Sequence, residues 1–448
     1  MVVRVQGMVW SQWAVVLLLA LSHMMAFVDR FVMSVIAAPL KRAFSLTDTE
    51  LGALQGLAFA MAYAAVVLPL GRLADRVAPK LLIVGGMVVW TLASASCAFA
   101  GSFGSIFAAR MVMGMGQAAF TPAALAVIGG LVATRAAAGP LSVFTAGSTM
   151  GKSVALLAGG AAFSIVSAGR LLHGLSASAP WRSVFVLTAA PNLVLIALLM
   201  TVQDCPQPMR ARQLNSGVAD WLRQDGRSFF SHAAVAIAPI ILIQAAAAWT
   251  PIFYARYFGL GVGQSALLVG GVVLVAAPLG HLVGGQATMR LVRRGVAPGV
   301  VVAAILIVAT PVAAVFCFSP LLYLSLGAYG LLVLLLGVAA PAGLAGVRLL
   351  TPSRHLGAGN GVFMGLTTLI GVGFAPTLVG WMNDRWFGGD RGLNLSLITL
   401  VVGVSVLGAI LALVFARGWT QSAQVIETAE SGVMARLIGD PMTATLEP

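Results

Sequence analysis

The chain has 448 residues, of which 60% are hydrophobic and only 9% charged, and its mean hydropathy is +0.99. A soluble domain, with about half apolar and a quarter charged residues, is excluded because no single core could hide that much apolar surface. The formal net charge of +13 does not point to nucleic acid either, since the arginines fall in short loops between apolar runs and not on a basic, aromatic-bearing face.

Taken in chain order, the apolar runs read as spans near 12–40, 49–70, 81–99, 103–131, 139–168 and 182–202, then 229–258, 264–287, 298–316, 321–346, 357–384 and 393–416. Runs of about 20 residues without strand-like alternation select helices, the form that satisfies every backbone N–H and C=O inside lipid. After Arg4 the first run continues through Asp29 and Arg30, past the length of a signal-peptide core and without an A-x-A-like cleavage site, so it reads as a span and not a leader. The fold expected is all-α and membrane-embedded, with twelve transmembrane helices. The polar stretch 203–228 divides residues 1–202 from 229–416, giving two six-helix bundles, and 417–448 reads as a weakly ordered cytoplasmic tail.

Lys and Arg fall unequally on the two sides of this map: 16 on the side of the N-terminus, 7 on the other and 3 inside spans. The positive-inside bias therefore places both termini in the cytoplasm. The two halves also look alike locally. "LGALQGLAFAMAYAAVVLPLGRLADRVAPK" (51–80) and "ALLVGGVVLVAAPLGHLVGGQATMRLVRRG" (266–295) are Gly- and Ala-rich helices running into a basic loop, with Gly71 and Arg76 matched by Gly285 and Arg290. Such duplication is how many transporters build two bundles that rock about a midplane site.

Charges within a bilayer cost roughly 2.5 to 3.5 kcal/mol each on insertion scales, so each is a functional candidate. The interior set is Asp29, Arg30, Arg110 and Lys152, one acid against three bases. An Asp29–Arg110 pair is geometrically possible between spans one and four. If protons drive transport, Asp29 is the carboxylate to carry them; otherwise it is half of a static ion pair. The excess of two positive charges calls for an anionic group on the substrate, with Lys152 in contact with it. Gln55, Tyr63, Gln117, Gln244, Asn360 and His281 are further cavity candidates. Arg256, in "WTPIFYARY", belongs either to an outer gate or to an interfacial aromatic belt.

Other classes find little support. Cys97, Cys205 and Cys317 lie far apart, and the five histidines (23, 173, 232, 281, 355) are dispersed, so neither a metal site, a cofactor nor an enzyme's catalytic cluster is expected. No filter-like segment marks a channel. "GSTMGKS" (147–153) is one residue short of a P-loop and lies inside a span, which argues against ATP drive.

The segment "GRLADRVAPK", carrying Gly71, Asp75, Arg76 and Lys80, resembles the loop signature of the major facilitator superfamily between helices two and three, departing from it at Ala78 and Pro79. A narrower resemblance is to bacterial Spinster-like members of that superfamily. It rests on "FVDRFVMSVIAAPLKRAFSLTDTELGALQGLAFAMAYA", "AARMVMGMGQAAFTPAA" and "WTPIFYARYFGLGVGQSALLVGG". It implies the major facilitator fold, a gating role for the loop motif, and export or exchange of amphipathic lipids such as lysophospholipids, usually linked to protons. Where that family places an acid in helix four, this chain has Gln117, which leaves facilitated diffusion and coupling through Asp29 alone both open. The expected partners are a small amphipathic or anionic substrate, membrane lipids and protons, with no nucleic acid, for a monomer in a bacterial-type inner membrane. A general organic-anion or drug porter on the same fold is the alternative.

Overall fold

The computed structural model describes residues 10–74, 77–131, 138–169, 179–202, 218–389 and 392–438. Twelve helices among them are long and apolar enough to cross a membrane, and no strand occurs among the described residues. We number them α1 (Trp10–Phe44), α2 (Asp48–Gly52, continuing through a π-helical Ala53–Leu57 into Ala58–Ala74), α3 (Pro79–Ser96), α4 (Phe103–Leu131), α5 (Ala138–Ser167) and α6 (Pro180–Thr201). The second half holds α7 (Val218–Tyr257), α8 (Val262–Arg293), α9 (Pro298–Phe318) and α10 (Leu322–Leu349). It closes with α11 (Leu356–Leu366, then π-helical Thr367–Phe374, Ala375–Met382 and a π-helical Asn383–Phe387) and α12 (Gly392–Ile438).

The helices hide a core and turn apolar side chains outward as well: Leu92 is 65% exposed and Leu413 86%. Such a surface is stable only in hydrocarbon. Inside each half the partners repeat. In the first half α1 packs on α5 and α6, α2 on α4, and α3 on α4 and α6; in the second, the helix six positions later makes each equivalent pairing. The local likeness read in the sequence is therefore a repeat in packing.

The halves meet along α2 with α11, α5 with α8, and α1 with α7. These contacts gather toward the end of the bundle opposite the described chain ends, the distal end. Close approach there needs glycine. A Cβ on Gly56 would run into the Val372 carbonyl, and one on Gly380 into that of Asp48. In the α5–α8 seam a Cβ on Gly160 would stand 3.0 Å from both the Ala266 Cβ and the Gly263 carbonyl.

Two boundaries differ from the sequence reading. The polar connection 203–228 becomes helical at Val218, and the expected tail continues α12 to Ile438. Single aromatics anchor both extensions. Buried Trp221 packs edge-on against Phe229 and over His355, while buried Trp419 donates its indole N–H to Ser231 Oγ at 2.9 Å. Ser422 Oγ adds a bond to Ser228 Oγ, so the two polar helix ends brace one another.

Candidate functional site

Asp29 and Arg30 are neighbours on α1, but about 100° of helical rotation per residue sends their side chains to different places. The Asp29 carboxylate points into the first bundle, fully buried, accepting from Ser94 Oγ (3.0 Å) on α3 and Asn192 Nδ2 (2.7 Å) on α6. It is not bonded to Arg110. That guanidinium, also fully buried, donates to backbone carbonyls instead: Nε to Leu54 (3.0 Å), and its terminal nitrogens to Gln55 (3.1 Å), Arg30 (3.2 and 3.3 Å) and Asp29 (3.4 Å). The pairing considered from the sequence is thus replaced by a clamp on α1 and α2, because carbonyls freed by the π-helical turn lie nearer than the carboxylate. Asp29 and Arg110 are nonetheless both fully buried within the same half.

Arg30 turns toward the seam. One terminal nitrogen donates to Gln117 Oε1 (2.8 Å), and its guanidinium lies over the Phe59 ring at 3.9 Å and the Phe27 ring at 4.7 Å. Gln117 is fixed at its other end by donating to the Ala26 carbonyl (2.9 Å). A glutamate at position 117 would cancel the Arg30 charge; the amide satisfies the hydrogen bond and leaves the charge in place. Tyr63 stacks on Phe59, beneath this cation.

Lys152, on α5, reaches across the seam to Gln244 Oε1 of α7 (2.9 Å), with its ammonium 5.2 Å from the Phe31 ring centre. Arg30, Phe31, Ser34, Gln55, Gln244, Ala248, Val372 and Pro376 line one narrow cleft between the halves. The cleft has room for roughly one water molecule. Arg30 lines this cleft, and Lys152, outside the lining, bonds the lining residue Gln244; the lining includes no acid, and each half-buried cation has an amide oxygen as its partner. With Asp29 and Arg110 set against each other as acid and base, Arg30 and Lys152 are the two formal positive charges beside this cleft.

Nearer the distal end lies a second cluster, centred on Asp48, which is not among the candidates named from the sequence. Its buried carboxylate receives Lys41 Nζ (2.5 Å), both terminal nitrogens of Arg256 (2.8 and 2.7 Å) and Asn383 Nδ2 (2.6 Å). Asp384, from α11, accepts the backbone N–H of Asp48 (3.1 Å) and of Thr49 (2.7 Å) and the Thr49 hydroxyl (2.6 Å), capping α2 from the opposite half. Thr47 and Glu50 complete a capping box at the same turn. Nothing in the sequence reading signalled that Arg256 and Asn383 would converge on Asp48. Ser94 and Asn192, the partners of Asp29, were likewise missed.

The remaining candidates are not brought to the cleft. His281 is exposed, and its Nδ1 bonds the Ala277 carbonyl of its own helix (2.8 Å), the acceptor one turn away that α8 offers more cheaply than any neighbour. Asn360 lies on α11 outside the lining, and Arg256 belongs to the distal cluster. In the loop motif, Asp75 and Arg76 fall outside the described residues. Gly71 is within α2, and Lys80 donates to the Met200 (2.9 Å) and Val202 (2.6 Å) carbonyls, capping the C-terminal end of α6 inside its own half.

The sequence profile of the Major Facilitator Superfamily matches residues 19–376. An "MFS-type efflux pump" of Mycolicibacterium smegmatis is 27% identical over 414 residues, covering 89% of this chain and 91% of that protein. A "putative tartrate transporter" of Agrobacterium vitis is 24% identical over 436 residues, 91% and 90% of the two chains. Among solved structures, a bacterial homologue of the human lysosomal transporter Spinster, inward-facing and unoccupied, aligns over 94% of this chain and 99% of its own with a TM-score of 0.78 at 22% identity. A nucleoside transporter aligns over 90% and 99% with a TM-score of 0.70 at 13% identity. Both structural likenesses concern the fold.

Proposed function

From the premise that the chain belongs to the Major Facilitator Superfamily, we propose that this transporter moves an amphipathic organic anion of the lysophospholipid kind by alternating access. The observation that carries the reading is the pair of half-buried cations at the cleft, Arg30 and Lys152, answered by the amide oxygens of Gln117 and Gln244. An anionic oxygen is a stronger partner for guanidinium or ammonium than a neutral amide, so a phosphate or carboxylate displaces the glutamines at a net gain. The aromatic rings of Phe27, Phe31 and Phe59 beside these cations suit the apolar stem behind such a headgroup.

The Asp48 cluster and the glycine contacts hold the halves together distally, an arrangement that suits alternating access with substrate entering and leaving at the end bearing the termini. On the positive-inside bias we assign that end to the cytoplasm. Proton linkage, where present, runs through Asp29 indirectly, since its carboxylate bonds Ser94 and Asn192 and does not line the cleft.

The test is binding to the purified full chain of lysophosphatidate against the uncharged monoacylglycerol of equal chain length, in wild type and Lys152→Met. We expect the variant to weaken lysophosphatidate roughly ten- to hundredfold, the size of a hydrogen bond to a charged group, and to change monoacylglycerol less than about twofold. Equal effects on the two would sink the reading. A broader organic-anion or drug porter is the second reading, favoured by the near-full-length similarity to the efflux pump; comparable affinity for bulky anions without an acyl chain would select it.

A further inference from the structure

Within the cleft one residue is left over. Gln55 is only 7% exposed and lines the cleft, yet among the described residues neither its Nε2 nor its Oε1 has a hydrogen-bond partner. Burying an amide with both ends unsatisfied costs free energy at each end, so such a group calls for a purpose. The adjoining Arg30 Nε is also buried and unpartnered, while the terminal nitrogen of the same guanidinium is taken by Gln117.

The backbone holds Gln55 in place with some force. It is the middle residue of the π-helical Ala53–Leu57, a wide turn of the kind that recurs at functional sites. The turn is fixed on one side by Arg110, which bonds the Leu54 and Gln55 carbonyls together with the Arg30 carbonyl, and so locks the two cleft-lining residues in register. On the other side Gly56 lies directly against the Val372 carbonyl of the opposing π-helical stretch. A side chain aimed by this much structure and then given no protein partner is set for a ligand.

We propose that Gln55 is a specificity-determining residue that reads a hydroxyl next to the anionic group of the substrate. An amide offers one donor and one acceptor a short distance apart. A hydroxyl, which both accepts and donates, can engage both ends, whereas an ether, ester or methylene at the same place cannot. Arg30 Nε supplies a further donor on the same side. The chemistry recognised is an oxyanion with a nearby hydroxyl, whether a glycerol phosphate with a free hydroxyl on the adjacent carbon or a hydroxy carboxylate. The inference rests on the anion-binding reading above, and adds to it which neighbour of the anion is read.

Two matched pairs of probes separate the sources: 1-acyl lysophosphatidate against its 2-deoxy analogue, and malate against succinate, each titrated into the purified full chain. In wild type the hydroxylated member of at least one pair is expected to bind roughly three- to tenfold tighter, the value of one or two neutral hydrogen bonds. The pair that shows this ratio identifies the source. Gln55→Met, similar in volume but without hydrogen bonds, should bring the ratio to about one while moving the deoxy probe less than about twofold. Lys152→Met should weaken both members alike and keep the ratio. A ratio that survives in Gln55→Met, or its absence from wild type that binds the anions, overturns the role of Gln55 and leaves the anion reading standing. Unchanged anion affinity in Lys152→Met with a Gln55-dependent ratio does the reverse. Failure of all four probes to bind wild type overturns both. Should Gln55→Met not fold, Gln55→Asn, which withdraws the amide by one methylene, is expected to lose the ratio too, and a full ratio there overturns the assignment.

Discussion

The seam between the halves carries two clusters of charge, and they follow opposite rules. In the distal cluster the charges have counterparts within the protein: Asp48 is shared among Lys41, Arg256 and Asn383, and Asp384 is spent on the N-terminus of α2. At the cleft, Arg30 and Lys152 have only amide oxygens and aromatic faces. Buried charges that satisfy each other hold an interface shut, and removing one partner is costly because the other is stranded. Buried charges that have only neutral partners are open to a better one. The first arrangement suits a gate and the second a binding site, though both sit between the same two bundles.

The largest expected effect comes from breaking the distal cluster. Asp48→Ala leaves Lys41 and Arg256 together without their acid, which should cost the distally closed state about 3 to 5 kcal/mol. A cysteine placed at Ser34, in a chain with the native cysteines replaced, should then react with an impermeant thiol reagent from the distal side. Unchanged reactivity would mean that the cluster is a passive brace. Gly56→Leu attacks the same closure sterically, since its Cβ meets the Val372 carbonyl, and distal labelling should rise here too, with Asp48 intact.

Asp29→Asn sharpens the contrast from the cleft side. Its oxygens serve Ser94 and Asn192, so an amide in their place leaves one donor facing another and should lower stability by about 1 to 3 kcal/mol in thermal unfolding. Anion affinity should stay within about twofold, a change of under 0.5 kcal/mol; a large loss would return Asp29 to the binding site. If transport by Asp29→Asn still depends on pH in liposomes, the proton is carried elsewhere. The smallest effect belongs to Arg256→Lys, which keeps the charge but gives up the two-pronged bond to Asp48. A cost of about 1 kcal/mol to distal closure is expected, read as a modest rise in labelling.

What could be read from the sequence divides along the same line. Arg30, Lys152, Gln117 and Gln244 were found as candidates because a polar residue deep in an apolar run is conspicuous whatever it touches. Asp48 and Asn383 were not, because a polar residue at the end of a span looks like any loop residue until the partner from the other half is known. Arg256 was noticed for its aromatic setting without its acid. The extensions 218–228 and 417–438 were read as linker and tail because charged and polar residues interrupt their apolar ones, and it took the packing of Trp221 and Trp419 to show that one aromatic can hold such a helix in place.

Lipid as the solvent, twelve helices crossing it in two similar sets, and three bases against one acid within the spans of the first set are all legible in the residues alone. These follow from composition and run length, which act locally and do not depend on neighbours. Only the tertiary structure decided which buried charges face the seam. Asp29 and Arg30 are adjacent in the chain, yet one helical step separates a carboxylate sealed within its own bundle from a guanidinium at the cleft. Likewise, whether Arg110 would meet the Asp29 carboxylate or the carbonyls of a π-helical turn depended on where α2 lies against α1 and α4, a distance that no spacing along the chain encodes.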